Sequence, residues 1–294
     1  MTQELLKTLE REGIIVLNSL VDRHRLQLMQ EAFTTRLRWL RISDIDGYER
    51  TELHRYMVQD VLILDQGFMD LALNPTVLEI LRGYLGDGFR LTEAKGWRSP
   101  ATRRYFHGWH GDAWYDQQRV EEIPREVKLA FYLSDADSGE FQYVRGSHRK
   151  LHPRPMRDDE LTDEDRERTF RAKGPAGTAI LFDTSGIHRQ GTPILRDRDA
   201  VFLNYHDPQI PLQAEDMAYY RYHPLLLNAA FLGGLSEEHR QILGFGDASQ
   251  YLHAFQRKVR FPWLQRGFEL SWRLRLQADE LLGRVRARIS RYRA

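Results

Sequence analysis

The rhythm of apolar and polar residues changes twice along the chain, near residues 89 and 208. Before residue 89 helical spacing prevails, with one early strand. Gly13 breaks a first helix, and Ile14-Ile15-Val16-Leu17 reads as a short buried strand. Leu26, Met29 and Phe33 then fall on one helical face. Asn74-Pro75 opens another helix, with Val77, Leu78, Leu81 and Leu85 buried and Gly86 ending it. From Phe89 to about Pro208 short β-rich runs alternate with turns: Phe89 to Thr92, Val127 to Leu133, Phe141 to Val144, Thr178 to Phe182 and Ala200 to Tyr205. Many short strands with glycine-rich turns predict a sandwich or jelly roll. A charged insert, 151–173, carries Asp158-Asp159-Glu160 and Asp163-Glu164-Asp165 and reads as a solvated helix and loop, or alternatively as a lid. From about Gln213 the pattern is helical again. Leu274, Ala278, Leu281, Leu282, Val285 and Ile289 line one face of a last helix, whose other face is rich in arginine.

This organisation predicts one domain over residues 1–294: a mainly helical part (1–88), a β core (89–208) and a helical extension (209–294). The basic amphipathic helix could lie on a membrane or bind acidic partners, but packing on the parent domain is the commoner arrangement. Composition narrows the function. The 294 residues are enough for a sizeable core, and a net charge of +1 gives no global pull toward nucleic acid. There is no cysteine, so disulfides, thiolate zinc sites and thiol nucleophiles are excluded. The start of the chain lacks a secretory pattern, and Val61-Leu62-Ile63-Leu64 is far shorter than a membrane span. The expectation is a cytoplasmic, globular protein, monomer or homodimer, with a small-molecule partner and no stable membrane insertion.

The chemistry concentrates in His110 and Asp112, within Trp109-His110-Gly111-Asp112, and in His188, within Gly186-Ile187-His188. Residues i and i+2 of a strand share a face, so His110 and Asp112 can both aim into a barrel while Gly111 turns away. Two imidazoles and a carboxylate that leave open positions form the ligand set of non-haem Fe(II) oxygenases. A His-x-Asp triplet is a weak signal alone, and a surface pair in a loop would look the same; the segments around it strengthen it.

Those segments resemble the phytanoyl-CoA dioxygenase family of Fe(II)/2-oxoglutarate oxygenases. The likeness runs in order from Glu12-Gly13-Ile14-Ile15-Val16-Leu17 through Trp109-His110-Gly111-Asp112. It continues in Ser138-Gly139-Glu140-Phe141, Arg145-Gly146-Ser147-His148, Gly177 to Asp183 with His188, and Arg198-Asp199-Ala200-Val201. It covers about residues 10 to 207 and leaves the last 85 or so without a counterpart. Departures are Ser138 for the usual Asn, Arg145 for the usual Pro, and Arg189 where Gly commonly follows the histidine.

The resemblance implies a double-stranded β-helix (a cupin-like jelly roll) flanked by N-terminal and C-terminal helices. It implies Fe(II) on His110, Asp112 and His188, 2-oxoglutarate as co-substrate, and O2. Arg198 would grip the far carboxylate, since a planar guanidinium can make two parallel charge-assisted bonds, with Arg196 as the backup. Gln190 and Thr192 stand where the family often has small hydroxyl residues near the co-substrate. The retained Asp112 argues against halogenation, because related halogenases replace this carboxylate by a small residue.

The implied reaction is hydroxylation or oxidative cyclisation of a small molecule in natural-product or saccharide tailoring, releasing succinate and CO2. Arg104, Trp114, Tyr115 and His148 are candidate substrate contacts, since an aromatic and arginine lining suits a sugar-like or anionic ligand. His152, His206 and His223 read as structural. A zinc-dependent hydrolase or isomerase would also fit the three ligands. A non-catalytic carbohydrate-binding jelly roll would account for the aromatics but leave the ligands without a use.

Overall fold

The structure, a computed structural model, describes residues 2–38, 56–58, 61–101, 108–112, 125–151, 157–207, 235–243, 274 and 278. The chain forms two compact units, Met1–Gly246 and Asp247–Ala294. In the second, Leu274 and Ala278 are helical; the rest of the arginine-rich segment lies outside the described residues.

The first unit opens with α1 (Thr2–Glu12), β1 (Ile14–Leu17) and α2 (Arg23–Leu37), followed by β2 (Tyr56–Val58), α3 (Gln66–Ala72) and α4 (Pro75–Leu85). The strands β3 (Arg90–Ser99), β4 (Glu126–Tyr132) and β5 (Ala136–Val144) come next. They are followed by α5 (Asp163–Glu167), β6 (Thr169–Gly174), β7 (Ala179–Asp183), β8 (His188–Gln190), β9 (Arg198–His206) and α6 (Glu237–Ile242).

Local signals explain several of these bounds. Asn74 caps α4 by accepting from the amides of Thr76 (3.1 Å) and Val77 (3.3 Å), a cap worth about 1 kcal/mol. That helix buries Val77, Leu78, Leu81 and Leu85 as its period predicts, and adds Ile80. The strand read at Ile14–Leu17 is β1. The apolar run at Val61 forms a 3-10 turn, Val61–Ile63. The charged insert holds the short exposed helix α5 but ends in a strand, β6.

The strands form two antiparallel sheets, ordered β1-β7-β4-β9-β3-β2 and β6-β5-β8. Period-2 alternation gives the large sheet two different faces. Leu129, Phe131, Leu181, Val201 and Leu203 pack in one core with Met29, Phe33, Phe68 and Leu81 of the helices. Ala130, Tyr132, Ile180, Phe182 and Ala200 pack in a second core with Phe141, Tyr143 and Ala172 of the small sheet. Each large side chain buried here is worth about 1.5–3 kcal/mol. The result is an antiparallel sandwich of the jelly-roll type, with helices on the outer face of the large sheet. Among the described residues no helix is long and apolar enough to cross a membrane.

Candidate metal centre and co-substrate pocket

The two histidines meet because the segment around His110 bridges to β8. His110 and His188 lie opposite each other in an antiparallel bridge, exchanging backbone hydrogen bonds of 3.0 and 2.8 Å. The Asp112 amide continues the ladder to the Thr184 carbonyl at 2.8 Å. Asp112 Oδ1 then stands 3.5 Å from His110 Nε2 and 3.6 Å from His188 Nε2. One ligand atom from each of the three side chains falls within 4.8 Å of the others.

The hydrogen bonding behind the rings identifies which nitrogen is available. His110 Nδ1 is 2.8 Å from the Gly108 carbonyl, and His188 Nδ1 is 2.8 Å from the Gly186 carbonyl. A carbonyl only accepts, so both Nδ1 atoms carry the proton and both Nε2 lone pairs point toward Asp112. The separations of 3.5 and 3.6 Å are too long for good hydrogen bonds. They suit atoms that share one cation at about 2 Å from each. His188 is backed by the rings of Phe141, Tyr143 and Phe182, with centroids at 5.5, 6.4 and 5.2 Å.

That backing demands a glycine at 186. A Cβ there would run into the ring and hydroxyl of Tyr143. Gly186→Ala is expected to cost about 1–3 kcal/mol by overpacking. It should also loosen the His188 ring that the Gly186 carbonyl holds, so that thermal melting falls together with metal affinity.

Asp112 is embedded in charge. Burial alone would push its carboxyl up, but the Lys128 ammonium beside it holds it well below the usual carboxylate range. Lys128 Nζ lies 2.5 Å from Asp112 Oδ2 and 3.9 Å from Glu93 Oε2, and Lys95 Nζ is 2.5 Å from Glu93 Oε1. Sequence reasoning passed over Lys128, Glu93 and Lys95. The signal was available for Lys128: alternation puts it on the same face as Ala130 and Tyr132, the face turned to the small sheet.

Behind the ligands, Trp109 and Arg189 point the opposite way from His110 and His188. Arg189 stacks on the Trp109 ring at 4.1 Å. Asp158 of the insert accepts from Trp109 Nε1 (2.8 Å) and from Arg189 (2.5 Å). The arginine that replaces the family's glycine therefore ties the insert to the outer side of both metal-bearing segments.

A second polar cluster begins two residues past His188. Gln190, on the same face of β8, accepts from the Ser99 hydroxyl at 3.3 Å, and Ser99 pairs across the sheet with Arg198. Arg198 is 3 % exposed and donates to the Gly139 carbonyl. The nearby Asp199 is taken by Arg98, at 2.6 and 2.8 Å. Burial lowers the Arg198 pKa, while Tyr132, Glu140 and Asp199 oppose the shift. Among the described residues no carboxylate forms an ion pair with Arg198, and its Nε and the Gln190 Nε2 are buried donors without an acceptor. Two unsatisfied donors and a desolvated cation are costly unless an anion completes them, which is what the far carboxylate of a 2-oxo diacid would do. Ser99 was not among the sequence candidates; it becomes visible only through its pairing with Arg198.

Three of the other sequence candidates, Arg196, Thr192 and His148, lie among the described residues. Arg196 makes an exposed ion pair with Asp137 at 2.6 Å. Thr192 follows the end of β8, half-buried, before a cis proline. His148 Nε2 donates to the Glu10 carbonyl at 3.0 Å and packs against Gly13, so it latches its turn to the end of α1. Arg104, Trp114 and Tyr115 lie outside the described residues.

A jelly roll that gathers two histidines and one aspartate around a common point has the ligand set of a non-haem iron oxygenase dependent on 2-oxoglutarate. The model of the phytanoyl-CoA dioxygenase (PhyH) family matches residues 9–192, and the chain belongs to that family. Among solved structures it is similar to EctD from S. alaskensis with 2-oxoglutarate and 5-hydroxyectoine. That match has a TM-score of 0.59 and 19% identity over 72% of this chain and 78% of that one. It is also similar to HygX from Streptomyces hygroscopicus with nickel, 2-oxoglutarate and hygromycin B, with a TM-score of 0.51 and 22% identity over 70% and 87% of the two chains. No curated protein sequence matches it.

Proposed function

We propose that the protein hydroxylates or oxidatively cyclises a small polar molecule, in natural-product or saccharide tailoring, with His110, Asp112 and His188 as iron ligands. The observation that carries this is the buried Arg198, which has no carboxylate ion-pair partner among the described residues and lies over Tyr132 on the face of the large sheet turned to the small one. Bound iron with 2-oxoglutarate and O2 supplies the oxidant that removes hydrogen from an unactivated C–H bond, with succinate and CO2 released.

The residues around it hold and orient. The Gly108 and Gly186 carbonyls fix the ring planes of the two histidines. Arg198, Gln190 and Ser99 receive the far carboxylate. Gln190 lies about 7 Å along the strand from His188, and a five-carbon diacid spans a distance of that order. The aromatic wall of Phe141, Tyr143 and Phe182 keeps water from the back of the site. Glu93, Lys95 and Trp97 alternate along one face of β3, and all three are buried. Such a polar, aromatic wall suits a hydrogen-bonding substrate. The ligands held by EctD and HygX, 5-hydroxyectoine and hygromycin B, support a substrate of small polar type.

The test is anaerobic. Protein loaded with Fe(II) and then 2-oxoglutarate is expected to develop a weak visible metal-to-ligand charge-transfer band. A folded, iron-loaded protein without that band would refute the assignment. Succinate release across a panel of polar small molecules then identifies the substrate class, the true substrate being the one that couples release to its own oxidation.

A further inference from the structure

The two oxygens of Asp112 face different groups. Oδ1 is turned to the histidine nitrogens, at 3.5 and 3.6 Å, while Oδ2 is held 2.5 Å from Lys128 Nζ. Lys128 is itself fixed from behind. It sits in a row across the sheet, Phe182, Lys128, Asn204, Glu93, with Glu93 Oε2 at 3.9 Å. Glu93 is 1 % exposed and in turn holds Lys95. A chain of alternating charge thus runs from the metal ligand into the β3 wall.

We propose that Lys128 is a positioning residue that confines Asp112 to ligation through Oδ1 alone and so preserves an open coordination position for 2-oxoglutarate. The proposal rests on the oxygenase reading above. A carboxylate can ligate through one oxygen or chelate through two. With one oxygen from Asp112, three protein atoms ligate and three positions of an octahedral ion stay open. A chelating Asp112 takes one of those three, so a bidentate 2-oxo acid whose far end is held at Arg198 has to displace the second Asp112 oxygen to bind, which weakens its affinity. An ammonium held on Oδ2 prevents the chelate.

The same ammonium repels a divalent ion across a short distance, so it lowers metal affinity if it does anything to it directly. The sign of the expected effect follows. Removing Lys128 leaves metal affinity unchanged or higher and makes 2-oxoglutarate binding weaker, whereas a residue that only supports the fold would weaken both.

The experiment compares the full-length wild type with Lys128→Met and Lys128→Arg, each loaded with Co(II). Cobalt affinity is measured first, then 2-oxoglutarate affinity of the loaded protein, following the cobalt d–d absorption. For Lys128→Met we expect a cobalt dissociation constant equal to or below that of the wild type. The 2-oxoglutarate constant should rise at least about tenfold, within the range typical of residues that orient metal ligands. Lys128→Arg, which keeps a cation on Oδ2, should restore 2-oxoglutarate binding. Unchanged 2-oxoglutarate affinity in Lys128→Met, or parallel loss of both affinities, overturns the proposal alone. A wild type that binds cobalt but not 2-oxoglutarate overturns the oxygenase reading with it. Should Lys128→Met not fold, the infrared difference spectrum of metal-loaded against metal-free wild type decides. A wide separation of the carboxylate stretches is expected for one-oxygen ligation, and a narrow, chelate-type separation overturns the proposal.

Discussion

Asp112→Ala is expected to weaken Fe(II) binding by more than about 100-fold and to erase the charge-transfer band with 2-oxoglutarate. Changing residues that merely orient ligands costs about 10–100-fold in metal affinity. Asp112 supplies both a ligand atom and the only negative charge of the three-residue set, so its loss should exceed that range. The substitution also leaves Lys128 facing the site without its nearest carboxylate, and the exposed ammonium would repel any ion entering from that side. Fold stability should suffer less than metal binding. Stripping one partner from a buried ion pair commonly costs about 3–5 kcal/mol, but Lys128 retains Glu93 at 3.9 Å. The pH dependence provides a check. Because the Asp112 carboxyl is held below its usual range, it adds stability that is complete above that range and is lost as pH falls through the lowered value. The melting temperatures of metal-free wild type and Asp112→Ala should therefore converge in acid, and a gap that widens there would contradict this assignment.

The elements that could be read from sequence carry their signal in a local pattern. The strand Ile14–Leu17 and the helix Pro75–Leu85 declare themselves by an apolar run after a glycine and by a capped 3.6-residue period. The metal set was legible for a similar reason: His110 and Asp112 keep the i, i+2 spacing of one strand face, and His188 follows the apolar run Ala179–Phe182. What stayed hidden was set by distant partners. The strand β6 looks like the end of a charged insert because three of its six residues, Thr169, Arg171 and Lys173, are charged or polar and only Ala172 is fully covered. A half-exposed strand at the edge of the small sheet needs no more. Strands β2 and β8 have three residues each, too few for a period to show. Asp158 is one acid in a run of three, and its grip on Trp109 and Arg189 exists only once the insert folds back. Lys128 and Glu93 are charges inside strands, legible as unusual but not as partners until the register puts them on either side of Asn204.

Arg198→Ala is expected to separate the two halves of the site, leaving iron binding within a few-fold of wild type while 2-oxoglutarate affinity drops by at least about 30-fold. The lower bound follows from the roughly 2–5 kcal/mol that truncating one side of a buried, hydrogen-bonded charge pair costs. Among the described residues the guanidinium bonds to the Gly139 carbonyl and has the Tyr132 ring as its neighbour at 5.7 Å, rather than any of the three metal ligands. Calorimetric titration of 2-oxoglutarate into protein loaded with a redox-inert metal reads the loss directly, and equal loss of metal and diacid would instead mean that Arg198 props the fold. Lysine should not rescue. It keeps the charge but has no planar fork, so it cannot hold Gly139 and a two-oxygen carboxylate at once. Gln190→Ala removes a single neutral donor, worth about 0.5–1.5 kcal/mol, and should weaken the diacid by only about tenfold or less. The graded order, Arg198 far above Gln190 with metal affinity level across both, is the pattern that a pocket for the far carboxylate requires and that a structural arginine would not produce.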